Sequence, residues 1–280
     1  MNYVLTLAIG PVQGFIVSAR RSRDLWAGSW LLSEIAKSAA QKLQENGAKM
    51  IFPYAKNGMP ENVGNKIQVV LENCSVDELS SVVQQAKEAA NKRFLDEANG
   101  VLKKLGSQKN SLRLDIWNLQ KTDYVEVQVA WTGFEASEEN TYLIASQTAA
   151  ELLAARKATR DFAALQSNDN IQNGLPKSSL DGARETVLLE NSSEALRKKL
   201  GLNQSEQLDC AGVVKRLCGK PEQFTPITRV AMDSWLEKNW KKKGFQTALK
   251  HVDNIYQKLV LLGFASEAHG NENIPTEPKT

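Results

Sequence analysis

Three arginines and an acid crowd five positions near the N-terminus, Arg20-Arg21-Ser22-Arg23-Asp24. They lie within "IGPVQGFIVSARRSRDLWAGSWLLSEI", which runs from Ile9 to Ile35. Two chemistries fit these residue types. In the first, backbone amides after Gly10 face a phosphate, with the arginines adding charge. In the second, Gly10-Pro11 is a strand-to-helix turn with Pro11 near the first helical position. Arg20 and Asp24 then pair four residues apart on a helix face for about 0.2–0.5 kcal/mol, and Trp26 and Trp30 pack together around the Gly28-Ser29 pair. Spacing alone favours the second. The segment has neither the Walker lysine nor the glycine spacing of a dinucleotide-binding loop.

Further along, "LDCAGVVKRLCG" is bracketed by Cys210 and Cys218. A spacing of eight fits no common zinc pattern, and His251 and His269 have no partner spacing either, so both cysteines read as structural. Lys215 and Arg216 suit an RNA phosphate or a solvated helix face. Lys241, Lys242 and Lys243 sit between Trp240 and Phe245. Basic residues interleaved with aromatics are compatible with single-stranded nucleic acid, and equally with a solvated helix end.

The chain holds no His-Asp dipeptide and no Gly-Gly-Asp-Asp or other paired-aspartate hairpin of the kind a two-metal site needs. No Ser-His-Asp or Cys-His set stands out. It does not read as a complete enzyme, and no catalytic residue is assigned. A net charge of +3 neither demands nor excludes a nucleic-acid partner. Three scattered cysteines point to reduced thiols in a cytosolic setting. No basic region precedes the apolar run Val4 to Ile9, which is too short for a signal core or a membrane span. The expectation is a soluble, cytoplasmic protein with no membrane partner.

The elements that must position these residues follow from periodicity. "NYVLTLAIG" reads as a strand buried on both faces. Val12, Phe15, Ile16 and Ala19 recur at helical spacing. The pattern resumes at Leu25, Leu32, Ile35 or Ala36, Ala39 and Leu43, and Gly47 caps it. "KMIFP" and "KIQVVLEN" are strands, and Asp77 to Leu105 is a long helix. "YVEVQVAW" alternates, with Val125, Val127, Val129 and Trp131 on one face and Tyr124, Glu126, Gln128 and Ala130 on the other. The order is βαββαβ, an α+β, ferredoxin-like arrangement that by itself decides no function. The spacing predicts another helix over Glu138 to Leu165, with Leu152, Leu153 and Phe162 on its apolar side, and a linker over residues 166–179. The expected organisation is a ferredoxin-like domain over 1–135, a mostly helical, finger-like region over 136–265 and a disordered tail over 266–280.

The motif from Ile9 to Ile35 strongly resembles the entry to the first Palm domain in the large (HD–Palm, cyclase-type) subunit of type III-B CRISPR effector complexes, Cmr-type. That family shows a Gly-Pro-Val-Gln, a Phe-Ile, an Ala-Arg, an Arg-Asp-Leu-Trp, a Gly-Ser and a Leu-Leu-Ser in this order. Here they fall at Gly10 to Gln13, Phe15-Ile16, Ala19-Arg20, Arg23 to Trp26, Gly28-Ser29 and Leu31 to Ser33. Later stretches keep the same order. "GNKIQVV" resembles a strand entry of the family, "IWNLQ" then "YVEVQVAW" its last Palm strand, and "SLDGARET", "LDCAGVVKRL" and "FTPITRVAMDSW" the segments that follow.

The resemblance implies an antiviral ribonucleoprotein complex in which two ATP molecules bind between two Palms. The Gly-Gly-Asp-Asp of the second Palm holds divalent metals, and a cyclic oligoadenylate or related messenger is made when target RNA is bound. It implies Gly10, Pro11, Val12, Gln13, Arg20, Arg23, Asp24, Gly28 and Ser29 as nucleotide or Palm-interface residues. Lys215, Arg216 and Lys241 to Lys243 are candidate RNA contacts. Expected partners are a second-Palm chain and other effector subunits, with CRISPR RNA and target RNA reached indirectly. Where some relatives carry two cysteine pairs for zinc, this sequence has Ser178 and Asp181, then Asp209 and Gly212, which puts zinc in doubt. The expectation is the first-Palm half of such a subunit, from a split gene or as a fragment. A non-catalytic scaffold or RNA-binding remnant is the alternative.

Overall fold

In a computed structural model of the chain, the N-terminal apolar run is strand β1, Asn2–Gly10, and residues 3–9 are all buried. The structure describes residues 1–54, 58–135, 140–159, 174–218 and 227–262. β1 lies inside a four-stranded sheet of order β2-β3-β1-β4, where β2 is Lys49–Phe52, β3 is Lys66–Leu71 and β4 is Glu126–Phe134. All three pairings are antiparallel; Leu5 sits opposite both Val69 and Trp131.

The period-two pattern of β1 divides its side chains between two layers. Tyr3, Leu5, Leu7 and Ile9 join the main core. That core lies under helix α2, Ser22–Glu45, and helix α3, Val76–Leu105. α3 begins with a capping box. The Ser75 hydroxyl accepts from the Glu78 amide at 3.2 Å, and the Glu78 carboxylate accepts from the Ser75 amide at 2.8 Å. Phe94, fully buried on α3, stacks on Tyr124, and the edge of Phe15 meets the same ring.

Val4 and Ala8 point the other way, beneath helix α5, Thr141–Ala158, whose Ala145, Ala149 and Leu153 are buried there. Both faces of the sheet are therefore covered, which is why β1 reads as a nearly continuous apolar run. The alternation expected for β4 holds: Val125, Val127, Val129 and Trp131 pack on the main core and Ala130 on the α5 side. Tyr124 is the exception, because it precedes the strand and also packs on the main core. Of the predicted apolar side of α5, Leu153 is buried, Leu152 is 47% exposed and Phe162 lies outside the described residues.

The helix expected from Val12 to Gly47 is broken. Helix α1 is only Gln13–Val17, and α2 starts at Ser22. The "IWNLQ" stretch, read with the last strand, belongs to helix α4, Leu114–Thr122. Helices α6, Glu194–Leu200, and α7, Cys210–Leu217, complete the part of the chain that ends at Cys218. Part of the predicted linker is well packed there, with Ser178 buried and Lys177 bridged to Glu185. The second unit follows Cys218. Its described helices are α8, Ile227–Asn239, and α9, Phe245–Leu261. The expected tail over 266–280 lies outside the described residues. No described helix is long and apolar enough to cross a membrane.

A single α4 side chain ties the irregular region to the helices. The Gln120 amide donates to the Glu185 carbonyl at 2.8 Å, and its carbonyl accepts from the Cys210 amide at 2.8 Å. Gln120 is buried, so Gln120→Leu takes the partner from the buried Cys210 amide, at about 1–3 kcal/mol, and from the half-buried Glu185 carbonyl, at less. We expect its urea midpoint to fall at an unchanged denaturant slope.

Candidate functional site

The residues singled out near the N-terminus meet helix α7. α7 is buried on every side: Cys210, Ala211, Gly212, Val213, Val214, Lys215 and Arg216 are all buried. Its start is fixed by Asp209, whose carboxylate accepts from the Gly212 amide at 2.9 Å. Burial raises the pKa of Asp209, as does the nearby Asp181, against the pull of the Gly212 amide.

Two charged side chains then carry α7 into the N-terminal motif. The Lys215 ammonium donates to the Phe15 carbonyl at 2.7 Å, to the Ser18 carbonyl and to the Ser18 hydroxyl at 2.9 Å. An ammonium has three donors, and these acceptors use all of them. The carbonyls belong to the end of α1, where a helix carries partial negative charge. The same ammonium lies 4.8 Å from the centre of the Phe15 ring. Desolvation pulls the Lys215 pKa below its ordinary value, while Asp209 and Asp24 push it back up.

Next to it, the Arg216 Nε donates to Asp24 Oδ2 at 2.7 Å, and Nη1 donates to the Leu200 carbonyl at 2.5 Å. The pair is almost dry, with side-chain exposures of 5% and 1%. Asp24 sits in the first turn of α2, where the helix dipole favours its charge. Gly28, one turn further on, makes room for lysine. A Cβ there would meet the Lys215 Cδ at 3.4 Å and the Phe15 carbonyl at 3.6 Å.

The remaining arginines reach the irregular segment beyond α5. Arg20 pairs with Glu206 and donates to the Ser179 carbonyl at 3.0 Å. Arg21 donates to the Gly201 carbonyl at 2.6 Å. Gly201 ends α6 with φ +60, and its missing Cβ leaves the space the Arg21 guanidinium fills. The amide of Asn203, and after it Arg20, holds Glu206 below the ordinary value of 4.5 against the effect of burial.

Several expectations are thereby corrected. Arg20 and Asp24 do not pair with each other: Arg20 precedes the first turn of α2, so the four-residue helical spacing does not apply. Lys215 and Arg216 are not surface RNA contacts, being 1% and 7% exposed with their donors engaged inside the chain. Leu25, expected on the buried face of the helix, is 47% exposed. Trp26 and Trp30 do stack, with ring centres 6.0 Å apart and Arg93 over Trp30.

The nine candidate interface residues differ in their surroundings. Gly10 is in the sheet ladder opposite Glu126. Asp24 and Gly28 are buried beneath α7, and Arg20 is paired. Gln13 and Ser29 are exposed, while Pro11, Val12 and Arg23 are half-buried. Lys241, Lys242 and Lys243 are exposed in the turn between α8 and α9.

Of the positions where the resemblance raised zinc, Ser178, Asp209 and Gly212 are joined by hydrogen bonds. The Ser178 hydroxyl donates to Asp209 at 3.4 Å, Asp209 caps Gly212, and Asp181 accepts from the Ala183 amide at 3.0 Å. Among the described residues no group of three or more His, Cys, Asp or Glu is placed to hold a metal ion. Cys210 and Cys218 are buried thiols, and burial pushes Cys218 up to about 12.

Only the N-terminal side of this seat, the part around Phe15 to Gly28, falls in a segment that matches a family model. Residues 4–103 match the family model described as CRISPR-associated protein Cmr2, N-terminal. A curated relative, the CRISPR system Cmr subunit Cmr2 of Pyrococcus furiosus, is 28% identical over 160 residues, covering 49% of this chain and 18% of that protein. Two solved structures are similar at 14% identity. Type III-B Cmr-beta bound to cognate target RNA gives a TM-score of 0.51 over 79% of this chain and 32% of that one. Its apo state gives 0.49 over 77% and 31%. The chain thus spans about a fifth of the Cmr2 relative and about a third of the structural ones.

Sequence reasoning missed the partners on the far side of the seat: Glu206, Gly201, Leu200 and the two α1 carbonyls. The one available signal was Lys215-Arg216 directly after Val213-Val214, charges set against an otherwise apolar helix.

Two outcomes test the seat. Arg216→Met strands a buried Asp24 carboxylate and is expected to cost about 3–5 kcal/mol, with much of it recovered in Asp24→Leu/Arg216→Met, read by scanning calorimetry. Glu206 is held low in the folded chain, so its contribution is present above pH 4.5 and lost as pH falls below it. Glu206→Gln is therefore expected to lower the urea midpoint at pH 6 and to flatten the loss of stability between pH 6 and pH 3.

Proposed function

We propose that this chain is the first-Palm half of a type III-B CRISPR effector large subunit, acting in antiviral defence as a docking part of an RNA-guided complex. The observation that carries the reading is the Cmr2 N-terminal match over residues 4–103, which takes in the whole Gly10-to-Ser33 motif, strands β2 and β3 and nearly all of α3. The strand order β2-β3-β1-β4, with α1 and α2 between β1 and β2 and α3 and α4 between β3 and β4, supports the reading because a ferredoxin-like Palm would have this strand order.

In this reading the face toward a second Palm is formed by the exposed parts of the motif, Gln13 and Ser29 with the Pro11–Val12 turn. ATP, its divalent metals and the reacting groups belong to the assembled pair, with the Gly-Gly-Asp-Asp supplied by another Palm. The charged residues of the motif build the Palm itself, so no catalytic role falls on Arg20 or Asp24. That internal use also gives the scaffold reading its support, because a domain whose motif serves folding needs no nucleotide to keep it.

A tagged copy purified from its native host, with co-purifying proteins identified by mass spectrometry, decides between them. Recovery of a Gly-Gly-Asp-Asp Palm together with Cmr subunits, followed by ATP turnover in the reconstituted set, is the expected result. Recovery of the Cmr subunits without any second Palm assigns a scaffold, and recovery of the chain alone overturns both.

A further inference from the structure

The charge of this chain is unevenly placed. Residues 227–262 hold seven Lys or Arg against three Asp or Glu, a net of +4, whereas the whole chain nets +3. Three of those cations, Lys241, Lys242 and Lys243, are consecutive in the turn joining α8 to α9, and all are exposed. The same turn gathers three aromatic rings. Phe245 meets Trp235 edge-on at 5.2 Å and Trp240 at 6.3 Å, so the rings support one another. Trp235 is nonetheless 51% exposed, a large apolar surface left beside a triple positive charge.

The ordinary use of lysines at the end of a helix is to satisfy its last carbonyls. That use is already filled here. The Trp235 carbonyl accepts from the Asn239 side chain at 2.6 Å, the Leu236 carbonyl from the Trp240 amide at 2.7 Å, and the Asn239 carbonyl from the Lys242 amide at 2.9 Å. Among the described residues, none of the three lysines makes an ion pair. A cationic run against an exposed, braced aromatic ring suits a ligand that brings phosphates and flat faces together.

We infer that the α8–α9 turn is a binding site for single-stranded nucleic acid, with Lys241, Lys242 and Lys243 on successive phosphates and Trp235 stacked on a base. The assignment does not rest on the large-subunit reading, since it is measured on this chain by itself. It replaces Lys215-Arg216 as the RNA-facing part of the sequence.

The test is fluorescence anisotropy of the full chain with labelled fifteen-nucleotide oligouridine and oligothymidine across a salt series. Lys241→Ala/Lys242→Ala/Lys243→Ala is expected to weaken binding at least tenfold and to reduce the log–log salt slope by about 2, at about 0.7 per phosphate. Trp235→Ala is expected to weaken it roughly 5- to 100-fold with the slope unchanged, and Trp235→Phe is expected to restore most of it. Tighter binding of one oligonucleotide identifies RNA or DNA as the natural source. A control, Lys103→Ala/Lys109→Ala/Lys157→Ala, removes the same charge from exposed positions elsewhere and is expected to change affinity less than threefold. Equal losses in the two lysine triples overturn the inference, because net charge alone would then explain binding. So does an oligonucleotide that fails to bind where a twenty-residue poly-glutamate peptide does, which would assign the turn to an acidic protein partner. The lysine triple changes only exposed side chains, so it decides the matter even if Trp235→Ala loosens the hairpin in circular dichroism.

Discussion

The arrangement around α7 depends on a buried charge being fully answered. Lys215 enters a dry interior with no carboxylate in contact and survives there because three oxygens of one short turn converge on its ammonium. An unanswered buried ammonium would be untenable. Those oxygens converge only if α1 stops at Val17 and α2 starts afresh at Ser22. The break that makes the N-terminal motif look irregular is thus the receptor for a helix about two hundred residues later. Asp24 and Arg216 add a second fixed point one turn away, and two points of attachment set the direction of α7 as well as its position.

This changes what the motif's polar residues mean. Arginines beside a glycine-proline turn suggest an anion site, yet Arg20 and Arg21 cross to the 179–206 segment and close it against the sheet-bearing unit. Their hydrogen bonds add to the apolar contacts that Val187, Leu188, Leu196 and Leu200 of that segment make with the main core. The Cmr2 likeness and the internal chemistry are compatible on this view, because a motif can mark a family through the architecture it builds.

The regular elements were legible in the sequence because their partners are implied by period. β1, β3, β4 and α3 announce themselves through alternation or a helical stripe, and both layers over the sheet follow from the unbroken apolar run of β1. The α1–α2 break was not legible, since Phe15, Ile16 and Ala19 continue a helical pattern that only the distant Lys215 interrupts. Lys215 and Arg216 themselves looked solvated for the same reason: no local pattern shows that Phe15, Ser18, Asp24 and Leu200 will surround them. Ser178 was read as linker because composition records turn-forming residues and carries no trace of the Asp209 carboxylate it reaches.

Gly28 shows how tightly two remote positions are joined. A methyl group there would only just touch the aliphatic stem of Lys215, at 3.4 Å, so the stem lines the space beside Gly28. A shorter residue at 215 would leave that space empty. A side chain longer than a methyl at 28 would press on that stem, so in related chains a bulkier residue at 28 is expected to accompany a smaller one at 215.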